Sequence, residues 1–183
     1  MTLRRDRTSI TPMGSRRIEP TEFRNVLGHL PTGVVVLAGT TTRGPVGMAA
    51  NSITSVSLDP PLIAVCAART SSTWPLIQRE QRFCVSVLAS HHEQVSRKFA
   101  RSGTDRFAGV RWHHRATGPA LDDAIAWLDC ELVAEHDAGD HTIAVARVVD
   151  LASAQDGRAL VFFRGQYGRF VPADLDQPRR ENA

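Results

Sequence analysis

The chain has 183 residues, 42% of them hydrophobic and 22% charged, which fits one globular domain with a substantial core and excludes a disordered polymer. The formal charge of +3 is carried by the first eighteen residues, where Arg4, Arg5, Arg7, Arg16 and Arg17 meet a single Asp6. From Glu19 to Phe170 fifteen basic residues balance fifteen acidic ones, so no basic face is left for nucleic acid.

The leader, residues 1–18, lacks the apolar stretch of a secretory signal. It reads as a disordered segment, with a basic arm for an acidic partner as the alternative. Residues 20–30 read as a short helix: Pro20 suits its first turn, Phe23, Val26, Leu27 and Leu30 recur at helical spacing, and Pro31 stops it. The β-branched run Val34–Ala38 predicts a buried strand, and Thr40–Pro45 a hairpin loop. Residues 46–50 and 53–57 are the next extended pieces. Pro60 and Pro61 interrupt any ladder. Leu62–Ala68 predicts another buried strand.

Ser71, Ser72 and Thr73 form a hydroxyl-rich turn before a helix near 73–79, with Thr73 as candidate N-cap. Such a turn suits a phosphate or is an ordinary cap. Phe83–Leu88 predicts a strand and His91–Arg101 a helix, whose Val95 and Phe99 share one face. Residues 102–118 read as a loop. Leu128, Cys130, Leu132 and Ala134 alternate with Asp129, Val133 and two glutamates, predicting a half-buried strand. Asp137–His141 is a tight turn into a strand over 142–149. Asp156-Gly157 turns into Leu160–Phe163, and Arg164–Tyr167 leads into a last strand. Residues 172–183 form a polar tail and 19–171 the domain. Many short strands with few helices predict a mainly β, closed or nearly closed antiparallel barrel.

The chemistry is notable for what is missing. There is no nucleophile elbow, phosphate-binding glycine loop or zinc motif. Cys66, Cys84 and Cys130 are odd in number and far apart, which suits buried free thiols in a reducing cytoplasm and no metal site. No apolar run is long enough to cross a membrane as a helix. The stretch Gly47–Pro61 stands out: it is uncharged except for Asp59, and rich in small residues and short hydrogen-bonding side chains. It is suited to holding a flat, polar-edged molecule against main-chain groups, and otherwise reads as a polar surface strand. His141, at the mouth of a strand, is the one ionisable candidate; a structural hydrogen-bonding role is the alternative. Any redox chemistry would come from a cofactor.

The string Gly47-Met48-x-Ala50-Asn51-Ser52, continuing through Thr54–Pro61, resembles the signature of the flavin reductase-like family. Those proteins are small NAD(P)H:flavin oxidoreductases that feed two-component monooxygenases. Matches follow in order at Pro31–Val34, Ser71–Thr73, Arg82-Phe83-x-Val85, Phe99-Ala100, Asp105–Phe107, Gly139–Thr142 and Arg164-Gly165-x-Tyr167. The resemblance covers about residues 20–170. Ser86 and Ala146 depart from it, standing where Asn and Gly are usual.

The resemblance implies a split β-barrel of Greek-key type, a homodimer, FMN or FAD as flavin, and NADH or NADPH as hydride donor. It implies a partner flavin-dependent monooxygenase reached by diffusing flavin. Met48, Ala49, Ala50, Asn51, Ser52, Ser55, Val56 and Ser57 would lie along the flavin ring, and Ser71, Ser72 and Thr73 near its phosphate. Lys98 and Phe99 would lie near the phosphate or ring edge, Tyr167 near the cofactor, and His141 where nicotinamide meets flavin. A flavoprotein acting directly on another substrate, or a flavin-binding barrel without catalysis, are the alternatives.

Overall fold

The computed structural model describes residues 16–154 and 156–173. The disordered leader expected over 1–18 and the tail over 172–183 therefore lie outside the described residues, apart from 16–18 and 172–173. The chain runs α1 (Pro20–Leu27), β1 (Thr32–Gly33), β2 (Val35–Thr41), β3 (Gly44–Ala50), β4 (Thr54–Leu58) and β5 (Pro61–Ala68). Then come α2 (Trp74–Glu80), β6 (Arg82–Val87), α3 (Glu93–Ala100), β7 (Trp112–His114) and β8 (Pro119–Leu121). It ends with β9 (Ala126–Ala138), β10 (His141–Ser153), β11 (Leu160–Phe163) and β12 (Gln166–Arg169). Seven strands form the main sheet in the order β3-β2-β6-β9-β10-β5-β4, and every pairing is antiparallel.

That sheet curls around one core, as the predicted split barrel requires. Inward residues come from β2 (Val35, Leu37), β5 (Ile63, Val65, Ala67), β6 (Phe83, Val85), β9 (Cys130) and β10 (Ala144, Ala146), with Trp74 and Ile77 of α2 packed against them. Strand alternation sends Val36 and Ala38 of β2 outward into a second cluster with Leu88, Phe99, Phe107 and Leu160. The β7–β8 hairpin lies over this outer face. Gly118 makes that approach possible, because a Cβ there would sit 2.5 Å from the Ala38 carbonyl oxygen. Ser86 is fully buried beneath the hairpin and accepts the Leu121 N–H at 3.0 Å.

Several expectations change. β5 is half-buried rather than buried: Ile63, Val65 and Ala67 face the core while Ala64, Cys66 and Ala68 are only partly covered. α1 ends at Leu27 and buries nothing; Phe23, Val26, Leu27 and Leu30 are all exposed. The loop at 102–118 contains β7. Asp129 points outward as its alternation predicts, yet it is 0% exposed because the β7–β8 region covers it. Arg115 Nε donates to Asp129 Oδ2 at 2.7 Å, and Thr117 donates its N–H (3.0 Å) and hydroxyl (2.6 Å) to Oδ1. The buried charge is thereby paired and hydrogen-bonded, the condition for keeping it.

All three cysteines are free, but only Cys84 and Cys130 are buried. Burial foremost, then neighbouring charge, pushes both thiols from the ordinary 9.0 up to about 12. Between those values the folded chain keeps protons that the unfolded chain releases, so stability should fall as pH rises from 9 towards 12. At pH 8 a thiol reagent should label Cys66 alone in the native protein and all three cysteines in denaturant; native labelling of Cys84 or Cys130 would contradict this.

Candidate flavin site

The main sheet begins at β3 and ends at β4, so the two edges of the barrel are joined directly by residues 51–53. Edge strands carry main-chain groups with no strand partner on one side. Ser52 closes the seam: its hydroxyl donates to the Cys66 carbonyl at 2.9 Å and accepts the Cys66 N–H at 3.1 Å. The hydroxyl expected to meet a flavin is thus engaged with β5. Asn51 is exposed and donates to Thr32 Oγ1 at 3.2 Å.

Along β3, Met48 and Ala50 pack against the barrel core and Ala49 against the outer cluster. Ser71 donates to Met48 Sδ at 3.8 Å and accepts the N–H groups of Thr73 (3.3 Å) and Trp74 (3.0 Å). Ser71, rather than Thr73, therefore caps α2. Thr73 Oγ1 instead accepts from Arg106.

Two clefts flank this strand. One, of about 350 Å³, is lined by Gly47, Ser72, Thr73, Thr104, Asp105 and Arg106 among others. The other, of about 800 Å³, lies at the Asn51 end and is lined by Phe23, Arg24, Leu27, Leu30, Phe162 and Arg164 among others. Gly47 and Asn51 are four residues apart, roughly 13 Å along an extended chain.

His141 pairs with Ala68 across the β5–β10 ladder, and the Ser71 N–H bonds to Ala68 O at 2.9 Å. The structure therefore groups His141, Ser71, Met48 and Ser52 at one end of the barrel. His141 Nδ1 lies 2.8 Å from Asp140 Oδ1, a contact that holds the Asp140 carboxyl below the usual carboxylate range, helped by His141's charge. The charge of Arg24, on the wall of the larger cleft, also lowers the Asp140 carboxyl.

Other expected residues fall elsewhere. Phe99 is 0% exposed: its ring fills the space left by the missing side chain of Gly47, and a Cβ there would sit 2.8 Å from it. The phenyl ring belongs to the outer core cluster. Lys98 donates to the Ala108 carbonyl, holding the loop after α3. Tyr167 bonds through its hydroxyl to Ser96 Oγ at 2.9 Å, with the Arg97 guanidinium 4.9 Å above its ring. Ser55, Val56 and Ser57 lie on β4; Val56 is at a register shift and exposed.

Sequence reasoning missed Arg106. It donates to Arg101 O (2.6 Å), Gly47 O (2.5 Å) and Thr73 Oγ1, joining three segments around the smaller cleft. Its string Asp105–Phe107 is part of the resemblance, but a single arginine in a loop signals no role. Among the described residues no group of His, Cys, Asp or Glu could hold a metal, and no helix is long and apolar enough to cross a membrane.

The fold is a split barrel with β3 at the edge of its main sheet and a cleft at each end of that strand. Residues 27–170 match the Flavin reductase like domain, and the chain belongs to that family. It is 38% identical to the reductase subunit HsaB of a flavin-dependent monooxygenase from Rhodococcus jostii, over 87% of this chain and 83% of the relative. It is 42% identical to the FMN reductase (NADH) SmoA of Agrobacterium fabrum, over 81% and 84%. Among solved structures it is similar to the NADH:FAD oxidoreductase of Streptomyces globisporus in complex with NAD and FAD fragments. That similarity has a TM-score of 0.80 and 32% identity, and covers 87% of this chain and 99% of that one.

The engagement of Ser52 is open to a direct check. Ser52→Ala leaves the Cys66 N–H and C=O without their partner and should cost about 1–3 kcal/mol, read as a lowered Tm. An unchanged Tm would show that the hydroxyl does not hold the seam.

Proposed function

We propose that this protein is an NAD(P)H:flavin oxidoreductase that reduces FMN or FAD and supplies reduced flavin to a partner flavin-dependent monooxygenase. The observation that carries the reading is the β3 edge with a cleft at either end, in a chain whose family and relatives are flavin reductases. The donors present fit a flavin: the smaller cleft offers hydroxyls and a guanidinium for an anion, and the larger offers apolar and aromatic walls for a ring.

Bound flavin supplies the hydride acceptor, and NADH or NADPH supplies the hydride. The protein's task is alignment and charge. Strand β3 has no strand neighbour on one side, and main-chain groups on that edge orient a planar ligand without flexible side chains and need no reorganisation as charge develops. Met48 and Ala50 anchor that strand in the core, and Ser52 fixes where it ends. Phe99 supports it from behind, and Lys98 and Tyr167 hold the elements around it. The contact at His141 Nδ1 orients the imidazole and leaves Nε2 for the nicotinamide side of the site. Ser55, Val56 and Ser57, on the opposite edge, form the far wall of the seam.

The purified protein should oxidise NADH or NADPH only when riboflavin, FMN or FAD is added. His141→Ala should lower nucleotide turnover about tenfold or more while leaving the flavin Kd nearly unchanged. No turnover with any flavin and nucleotide pair would overturn the assignment, and unchanged kcat and KM in the variant would make His141 structural.

The reading extends to a homodimer of domains spanning 19–171. Val26 of α1, Phe163, Phe170 and Val171 are exposed and line neither of the two clefts. Apolar exposure of this kind marks an association surface, and a second copy is its simplest occupant. Light scattering should give twice the 20.0 kDa chain mass; a monomer at assay concentration would refute it. A cytoplasmic location fits the free thiols and is tested by cell fractionation.

A further inference from the structure

The segment between β6 and α3 is a junction. Leu88 donates its N–H to the Val34 carbonyl and accepts the Leu160 N–H on its own, both at 2.9 Å, and the Ser90 N–H bonds to Arg158 O at 2.7 Å. Ala89 bridges Ala159, so the main sheet, the three-stranded sheet and α3 meet here. His92, the residue before α3, is 7% exposed. Its N–H bonds to Ala89 O at 2.8 Å, and its Nδ1 accepts the Ala89 N–H at 3.2 Å. Its carbonyl accepts the Ser96 N–H at 2.9 Å and closes the first turn of α3. One buried residue therefore holds both main-chain groups of Ala89 and begins the helix.

An imidazole accepts at Nδ1 only while neutral, because both ring nitrogens donate in the imidazolium. A proton on His92 would turn that nitrogen into a donor facing the Ala89 N–H. It would also set a positive charge at the positive end of the α3 dipole. The neighbouring groups do little to offset this. The ring of His91, on the same turn, has its centroid 4.1 Å from that of His92. Glu93 opens α3 but pairs with Arg97 at 2.9 Å, and Asp123, between β8 and β9, pairs with Arg111. Arg158 precedes β11, and Arg169 of β12 lines a shallow cleft with His91 and Glu93. Burial foremost, then the His91 charge, lowers the His92 pKa from its ordinary 6.5, against the pull of Asp123. As pH falls the unfolded chain takes up this proton first. The stability that His92 contributes is whole above pH 6.5 and is lost as pH falls through the lower folded value.

His92 secures α3, and α3 in turn supports two other elements. Phe99 packs on Gly47 of β3, and Ser96 bonds to Tyr167 of β12 at 2.9 Å. We propose that His92 is an acid-operated latch. Neutral, it ties the start of α3 to the sheet junction; protonated, it releases the Ala89 N–H and loosens α3 from β3 and β12. The latch lies outside both clefts that flank β3 and needs neither flavin nor nucleotide to operate.

The test compares the wild type with His92→Asn, whose side-chain carbonyl keeps an acceptor beside the Ala89 N–H, suits a helix N-cap and takes up no proton. Between about pH 8 and about pH 5.5 the Tm of the wild type should fall roughly 3 °C or more further than that of the variant. Over the same interval the hydrogen-exchange protection of the Ala89 and Ser96 N–H groups should drop about tenfold in the wild type and stay within about twofold in the variant. The same pH profile in both proteins would overturn the latch. Should His92→Asn not fold, imidazole NMR of the wild type decides. A His92 ring unprotonated at Nδ1 and titrating below 6.5, with Ala89 protection lost in step, supports the latch. A proton on Nδ1 at about pH 8, or titration at or above 6.5, refutes it. No flavin enters any of these measurements, so the latch stands or falls apart from the oxidoreductase activity.

Discussion

A sheet that curls into a barrel must either close by pairing its two edges or leave a seam. Here the edges, β3 and β4, follow one another in the chain and are separated by only residues 51–53. β3 pairs with β2 and β4 with β5, and the two do not pair with each other. The seam is held by one hydroxyl, Ser52, bonded to both main-chain groups of Cys66. Everything proposed for the site depends on that seam, since a closed barrel would have no unpartnered backbone to offer a ligand.

The layers around the barrel keep the seam in place. α3 presses Phe99 onto Gly47 of β3, where a Cβ would sit 2.8 Å from the ring. The β7–β8 hairpin covers the outer face of β6 and β9, and the Arg115–Asp129–Thr117 group locks it there. That ion pair has its charge fully answered, in contrast to Arg106, whose guanidinium is answered only by neutral oxygens.

Much of this was legible in the residues. β2 and β6 are β-branched or apolar runs, and their existence follows from period and composition alone. The polar stretch at 47–57 was recognisable by its lack of charge, and the turn at 137–141 by its glycine. What the residues did not reveal depended on a distant partner. Leu62–Ala68 reads as fully buried because all its residues are small or apolar, yet one face is only partly covered. Asp129 reads as exposed because alternation gives the face but not what covers it. Phe99 and Lys98 carry the motif of the family, and only the fold shows that one packs on Gly47 and the other bonds the Ala108 carbonyl.

The sequence by itself determined most of the strands and helices and, through its string of motifs, the family. These are local properties, set by side-chain period, turn residues and short signatures. Only the tertiary structure decided which hydroxyls are spent on the backbone, which of the fifteen basic residues in the domain lacks a carboxylate at the cleft, and which end of β3 carries charge. Those outcomes rest on contacts such as Ser52 with Cys66 and Arg106 with Gly47. Their partners lie 14 and 59 residues apart, beyond the reach of any local pattern.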